Sequence, residues 1–317
     1  MELLAPPAVL GHEGVGVIEK MGREVKGLGV GDRVALSYPW CATCSPCREG
    51  RPFHCVHGLD LSFAGHRADG SRPVSLGGKP IASAFFQQSS FATHAVALAR
   101  DAVKLPDDLP SELAAALPCG VQTGAGAILR SLATKPGESV AVFGVGAVGL
   151  SALMAAKLAG AGPVIAVDVN PGRLQLALSL GATHSVHAGD ADVASSLRQI
   201  TGGGVQVLLD TSGKDVALRR AIDAMATGGR LGIVTVPDWG KDYRLPIQPL
   251  FERFGSLVSI IQGSSIPATF LPYLIEQYRA GRFPFDRLVT AYPFAQINQA
   301  VEDARRGQAV KPVLLMP

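Results

Sequence analysis

Residues 139–168, SVAVFGVGAVGLSALMAAKLAGAGPVIAVD, restrict the fold more than any other stretch of the chain. Residues 140–143 form a short apolar run of β-branched and aromatic side chains, the pattern of a buried strand. Gly144, Gly146 and Gly149 follow as G-x-G-x-x-G, and residues 147–159 are apolar over the length of a helix. Gly160 and Gly162 close that helix, and residues 164–167 make a second strand running into Asp168.

Each feature has a physical role. Gly144 permits the tight turn out of the strand, Gly146 lets backbone approach a pyrophosphate, and Gly149 lets the helix pack close to the sheet. The N–H groups and dipole at the helix start favour the negative charge of a diphosphate. Asp168 lies 19 positions after Gly149. A carboxylate there accepts from both ribose hydroxyls of NAD and repels the 2′-phosphate of NADP. The pattern therefore predicts dinucleotide binding, with NAD preferred. Two plainer readings are packing glycines without a ligand, and a membrane span over the nearly charge-free residues 140–156. Three glycines in that span and Lys157 just after it argue against a membrane segment.

The 317 residues are 47% hydrophobic and 17% charged, with 37 glycines. This composition suits a globular protein large enough for two cores. Net charge is +3 with no basic run, so nothing points to nucleic acid. No charged-then-apolar leader opens the chain, so a cytoplasmic location without membrane association is expected. In such a compartment five cysteines are expected as metal ligands rather than disulfides.

Residues 1–120 are β-rich. Residues 14–18 and 33–36 read as strands around a polar turn, 59–78 as a long loop, and 89–96 as a further strand. The many early glycines suggest a tightly turned, barrel-like sheet. Helical spacing starts at Ser111, and 122–132 reads as a small-residue helix. Asn170 and Pro171 are an expected N-cap and first helical residue for 172–180, with Gly181 as the stop. Residues 205–209, 231–236 and 257–261 read as strands, and 214–226 as a helix. This alternation predicts an α/β, doubly wound parallel sheet. After Gly263 it breaks: 268–280 and 295–306 read as helices and 311–316 as a terminal strand. The expected organisation is residues 1–120 and 264–317 as one domain, with a nucleotide-binding domain, 121–263, inserted.

Cys41, Cys44, Cys47 and Cys55 are spaced C-x2-C-x2-C-x7-C. Four thiolates closing in one loop suit tetrahedral Zn2+ with no open position, which is a structural site. His54 and His57 are spare candidates nearby, and four buried free cysteines are the plainer reading. Cys119, in LPCG, and His12, in GHEG, are each unremarkable alone.

Together these residues resemble the zinc-dependent, medium-chain alcohol dehydrogenases, over essentially the whole chain. The resemblance rests on GHEGVGVIEKMG, the four-cysteine lobe, LPCGVQTGAGA, VFGVGAVGL and the closing KPVL. FAGHRADGS, AFFQQSSFATHA, CGVQTGAGAILRSL and YRAGRFPFDRLVTAYPF are most similar to the aryl-alcohol (benzyl alcohol) branch. It implies a Rossmann sheet inserted in a GroES-like β-barrel catalytic domain. It also implies zinc-assisted hydride transfer between NAD and a primary, aromatic or allylic, alcohol and its aldehyde. His12 and Cys119 match catalytic-zinc ligands, and Glu13 the acid beside them. Thr123 and Val148 match residues at the nicotinamide, and Asp168 and Arg173 contacts to the adenosine ribose. Val234 and Val236 match positions lining the nicotinamide and substrate region, and Lys311 a basic residue near the pyrophosphate. Tyr38 and Trp40 are expected as pocket walls. The family commonly pairs subunits through the last strand of the nucleotide sheet, here 257–261, so a homodimer or homotetramer is expected.

The match has a gap. The family's first catalytic-zinc ligand is a cysteine upstream of the GHE motif. Only eleven residues precede His12, and Glu2 alone among them could bind zinc. The hydroxyl residue that starts the proton relay and the first barrel strands are also absent, so the barrel is expected to be incomplete at the N-terminus. The favoured reading is that Met1 is an internal methionine of a longer reading frame. The alternative is a shortened, catalytically impaired NAD-binding protein holding only the structural zinc, with exposed strand edges. A zinc-free quinone or enone reductase of the same superfamily is a third reading, opposed by the cysteine lobe, His12 and Cys119.

Overall fold

The structure, a computed structural model, describes residues 4–235 and 245–317. The chain divides into two compact units. One comprises Met1–Cys119, Ile266–Glu276 and Phe285–Pro317, the other Gly120–Ser265 and Gln277–Pro284.

In the first unit β1 (Val15–Val17), β2 (Arg33–Leu36) and β5 (Ala102–Lys104) form an antiparallel sheet in the order β1-β2-β5. Between β2 and β5 lie α1 (Ser45–Arg48), α2 (Gly58–Phe63) and a small hairpin of β3 (Ser75–Leu76) and β4 (Lys79–Pro80). The strand expected over 89–96 does not form. Its backbone turns instead to the segment before His12, with Ser90 N donating to Gly11 O (3.0 Å) and Phe91 N to Leu10 O (2.9 Å). A cavity of about 970 Å3 lies within this unit, lined by apolar side chains such as Val15, Leu36, Val96, Leu98 and Val313. After β5, α3 (Ser111–Ala114) leads to Cys119.

The second unit begins with the small-residue helix, α4 (Gln122–Gly126), continuous with wider helical turns on both sides. Its glycines allow close approach. A Cβ on Gly124 would come within 2.0 Å of Val148 O, and one on Gly126 within 2.3 Å of Gly263 O.

The strands that follow are β6 (Val140–Phe143), β7 (Val164–Asp168), β8 (His184–His187), β9 (Val205–Asp210), β10 (Met225–Ile233) and β11 (Ser256–Ser259). They pair in the order β11-β10-β9-β6-β7-β8, and every pair is parallel. The order reverses beside β6, the topological switch point at which doubly wound sheets bind ligands. The connecting helices are α5 (Ala147–Leu158), α6 (Pro171–Leu180), α7 (Val193–Thr201), α8 (Asp215–Ala224) and α9 (Ile247–Glu252). Strands β6 and β7 are fully buried, and Phe143, Ile165, Leu208 and Leu231 anchor the core. Asn170 caps α6, its side chain accepting from Arg173 N (3.2 Å), and Gly181 ends it at φ 125°. Helix α8 stops at Ala224 because Met225 already pairs with Val205 on β9. The strand expected over 231–236 accordingly starts earlier, and Val236 lies outside the described residues.

Helix α10 (Pro267–Arg279) follows, and the first unit resumes with β12 (Val289–Pro293), α11 (Ile297–Arg305) and β13 (Lys311–Leu315). Strands β12 and β13 are parallel partners. Among the described residues no helix is long and apolar enough to cross a membrane.

One group in the first unit is costly. Asp101, at the start of β5, is 4% exposed, and neither carboxylate oxygen has a hydrogen-bond partner. Burial pushes its pKa up from 3.8 to about 7, against the opposing pull of Arg100. Below pH 4 both folded and unfolded chains hold the proton. As pH rises towards 7 the unfolded chain releases it first, so stability falls across that window by of order 4 kcal/mol. Asp101→Asn is expected to remove this fall, measured as urea-unfolding free energy at pH 4.5 and 7.5. The same loss between the two pH values in both proteins contradicts it.

Candidate active site and zinc centres

The glycine loop has the geometry its sequence requires. Gly144 leaves β6 at φ 85°, where a Cβ would meet Thr211 Oγ1 at 2.8 Å. A Cβ on Gly149 would meet Gly144 O at 2.0 Å, so only glycine lets α5 sit this close to β6. A Cβ on Gly146 would meet nothing within 4 Å. That open side, at the N-cap of α5, is where a diphosphate fits, against first-turn N–H groups that have no partner within the helix.

Asp168 ends β7 nearly buried. Its Oδ2 accepts from Val145 N (2.7 Å) in the glycine loop and its Oδ1 from Asn170 N (2.8 Å). Each carboxylate oxygen keeps a lone pair for a ribose hydroxyl. Nearby in sequence, Arg173 buries its Nε without a hydrogen-bond partner, an orphaned donor that a nucleotide would satisfy. Thr123 lies on α4, Val148 in the first turn of α5, and Val234 just past β10, its N–H donating to Asp210 O (3.3 Å). The donor set, the open glycine and the acid fit NAD.

In the first unit, the Sγ atoms of Cys41, Cys44, Cys47 and Cys55 all lie within 4.8 Å of one another, with Cys41 and Cys47 3.9 Å apart. A zinc tetrahedron with bonds of about 2.3 Å has sulfur–sulfur edges of about 3.8 Å. Backbone donors already face the sulfurs: Thr43 N (3.4 Å) and Cys44 N (3.3 Å) point to Cys41, and Cys41 N (3.3 Å) to Cys55. Burial raises the Cys41 thiol, but hydrogen bonds from Thr43 and Cys44 outweigh it and bring it down to about 5. Burial and the neighbouring Cys44 push Cys47 up to about 12. The set fits a closed zinc site.

A second cluster brings together His12, Glu13 and Cys119, their ligand atoms also within 4.8 Å of one another. His12 Nε2 lies 3.2 Å from Cys119 Sγ. Tetrahedral zinc with ordinary nitrogen and sulfur bonds separates such atoms by about 3.5 Å. Burial lowers the pKa of His12; Glu13 opposes this and Lys311 adds to it. The imidazole is thereby kept neutral, the form that binds metal. The Glu13 carboxylate accepts from Lys311 Nζ on β13, so Lys311 acts here as the partner of Glu13. The residues fit a metal held by His12 and Cys119, with the third ligand, Glu13, engaged in an ion pair.

Two aromatic rings pack against His12, and a third packs against them. Phe86 lies tilted over its imidazole (4.5 Å), Phe85 meets it edge-on (5.6 Å), and Phe63 contacts both phenylalanines. Phe63 opens FAGHRADGS and Phe85 and Phe86 lie in AFFQQSSFATHA; adjacent phenylalanines in a stretch otherwise rich in small and polar residues are the sequence signal for this packing. Tyr38 is buried, its hydroxyl pKa raised by burial and by the charges of Asp101, Cys47 and Cys55. Trp40 lies under the Arg100 guanidinium (5.8 Å).

Comparison with known proteins agrees with this geometry. Residues 1–107 match the alcohol dehydrogenase GroES-like domain, and 147–277 the zinc-binding dehydrogenase domain. The chain is 44% identical over 312 residues to geraniol dehydrogenase of Castellaniella defragrans, covering 98% of this chain and 83% of that protein. It belongs to the zinc-dependent medium-chain alcohol dehydrogenases. The crystal structure of an alcohol dehydrogenase zinc-binding domain protein from Burkholderia ambifaria superposes with a TM-score of 0.96 at 45% identity, covering 99% of this chain and 85% of that one. Benzyl alcohol dehydrogenase from Acinetobacter calcoaceticus gives 0.94 at 40%, with the same coverage. Like other zinc alcohol dehydrogenases, this chain is an oxidoreductase that works with zinc and NAD, and its fold is a GroES-like domain with a Rossmann sheet.

If the four-cysteine cluster holds zinc, Cys47→Ser is expected to lose about one zinc equivalent on dialysis and to open residues 41–63 to proteolysis. Full retention of zinc by that variant, measured by elemental analysis, contradicts the assignment.

Proposed function

We propose that this alcohol dehydrogenase interconverts primary aromatic or allylic alcohols and their aldehydes. The observation that carries the reading is the His12, Glu13 and Cys119 cluster, whose imidazole packs against the rings of Phe85 and Phe86, with Phe63 behind them. Aromatic walls favour a flat, unsaturated substrate. The relatives named for geraniol and benzyl alcohol support the same substrate class.

When bound, zinc supplies a Lewis acid that lowers the pKa of the alcohol, and NAD+ accepts the hydride. The chain's own residues do the rest. Neutral His12 and the thiolate of Cys119 would hold the metal, while Lys311 holds the Glu13 carboxylate in an ion pair beside it. Gly144, Gly146 and Gly149 receive the diphosphate, Asp168 and Arg173 the adenosine ribose, and Thr123, Val148, Val234 and Val236 surround the nicotinamide. Residues 1–120 and 264–317 act as the catalytic domain and 121–263 as the nucleotide domain. Cytoplasmic residence follows from cysteines that serve metal. A homodimer or homotetramer assembles through β11, the edge strand of the nucleotide sheet, close in sequence to Phe251 on α9 and Phe254 just after it, which are 76% and 77% exposed.

A second reading is NAD binding without turnover, with zinc in the four-cysteine site only. The ion pair of Lys311 with Glu13, which engages one of the three ligands at the other cluster, favours it.

Zinc content after dialysis separates the readings. About two equivalents per chain, with NADH formed from benzyl alcohol, is the expected result for three-ligand capture at His12, Glu13 and Cys119. About one equivalent and no turnover supports the second reading. Asp168→Gly is expected to tighten NADPH binding about tenfold, the scale of one removed charge repulsion. Protein fluorescence on titration measures it, and equal NADPH and NADH affinity in the unmodified chain contradicts the NAD assignment.

A further inference from the structure

His12 and Cys119 must be held at a fixed separation to capture a metal together. The means lies in the paired glutamines of AFFQQSSFATHA. Around them the backbone enters the left-handed region at Ala84, Phe86, Gln87 and Ser89, with φ between 50° and 62°. Such residues are costly and persist where surrounding contacts fix them. The two neighbouring amides serve different segments. Gln87 Nε2 donates to Leu61 O (2.9 Å) and His66 O (3.0 Å). Gln88, 4% exposed, faces the metal-site loop.

There Gln88 Oε1 accepts from Gly14 N (3.0 Å), while its Nε2 donates to His12 O (3.1 Å) and Ser37 O (3.2 Å). One amide thus grips the backbone on both sides of Glu13, directly after the His12 side chain, and ties it to the end of β2. Ser37, also buried, donates its hydroxyl to Pro118 O (2.8 Å), the carbonyl immediately before Cys119. Gly14 leaves room for this grip: a Cβ there would lie 2.7 Å from Ser90 Cβ and 3.2 Å from Gln88 Oε1. Three side-chain hydrogen bonds therefore connect the backbone at His12 to the backbone at Cys119 without touching either ligand side chain.

We propose that Gln88 is a positioning residue that sets the His12–Cys119 separation through Ser37, and so sets the metal affinity of that pair. The proposal rests on the metal reading of the His12 cluster given above. The amide is specific to the task. Glutamate would offer no donor for His12 O or Ser37 O, and asparagine would be one methylene too short. Partners behind a ligand typically change metal affinity by 10–100-fold when removed.

The test is zinc titration of the full chain against a competing chelator, with the four-cysteine site as internal reference and thermal unfolding recorded in parallel. Gln88→Met keeps volume and removes the side-chain hydrogen bonds to Gly14, His12 and Ser37, along with a longer one to Leu36 O (3.5 Å). It is expected to weaken the second zinc equivalent about 10–100-fold while the first keeps its affinity. Ser37→Ala removes the link to Pro118 and is expected to weaken the second equivalent about tenfold. A Gln88→Met protein that melts lower but binds both equivalents as tightly as the unmodified chain shows a merely structural role and overturns the proposal. Should Gln88→Met fail to fold, unchanged affinity in Ser37→Ala overturns it. An unmodified chain that takes up a single equivalent removes the metal reading itself, and the proposal with it, before any variant is compared.

Discussion

His12 and Cys119 stand 107 residues apart in sequence and 3.2 Å apart in space. Closing a loop of that length costs about 4 kcal/mol of chain entropy before any contact is made. The first unit meets this cost with buried polar contacts at both ends. Its strands are short, so ladder hydrogen bonds alone hold little of it together. Side-chain amides and hydroxyls complete the work: Gln87, Gln88, Ser37 and Ser89 each reach backbone carbonyls in distant segments. The unit is less a closed sheet than a set of loops fastened by polar side chains, and its metal-binding groups sit where the fastenings converge.

The second unit is built on the opposite principle. Its central strands β6, β7 and β9 carry mostly apolar, buried side chains, and α4 and α5 make their closest approaches through glycine. Gly149 against Gly144 and Gly124 against Val148 bring backbones to distances that no Cβ permits. Dispersion contacts at such range need no particular partner chemistry. The unit therefore offers a rigid base for a cofactor, and its polar groups concentrate at the strand ends around Asp168 and Asp210.

Local signals made the second unit largely legible from sequence. The glycine loop, the Asn170 cap, the Gly181 stop and the β-branched runs each act within a few residues. The weaker elements escaped. Strand β8, HSVH, is polar and mostly exposed, and α7 opens on an Asp192 cap that resembles a turn signal. In the first unit the four cysteines and the His12 motif stood out because their spacing is itself the chemistry. The arrangement behind them did not. Residues 89–96 carry strand-like side chains, but their backbone donors go to residues 10 and 11. The link from Gln88 to Gly14 spans 74 residues, a distance over which no periodicity carries information. The aromatic cluster follows the same rule: Phe85 and Phe86 meet His12, and Phe63 meets both of them, through tertiary packing alone.

The carboxylate of Asp168 does two things at once. The same oxygen that would meet a ribose hydroxyl accepts the N–H of Val145, in the middle of the glycine loop. Discrimination between nucleotides and the shape of the phosphate cradle are therefore not separable properties of this chain. A lineage drifting towards a phosphorylated cofactor would loosen its own cradle at the first step. It would stay handicapped until another acceptor arose to hold that loop. This linkage makes the acid at the end of β7 conservative for a reason unrelated to the cofactor supply of the cell.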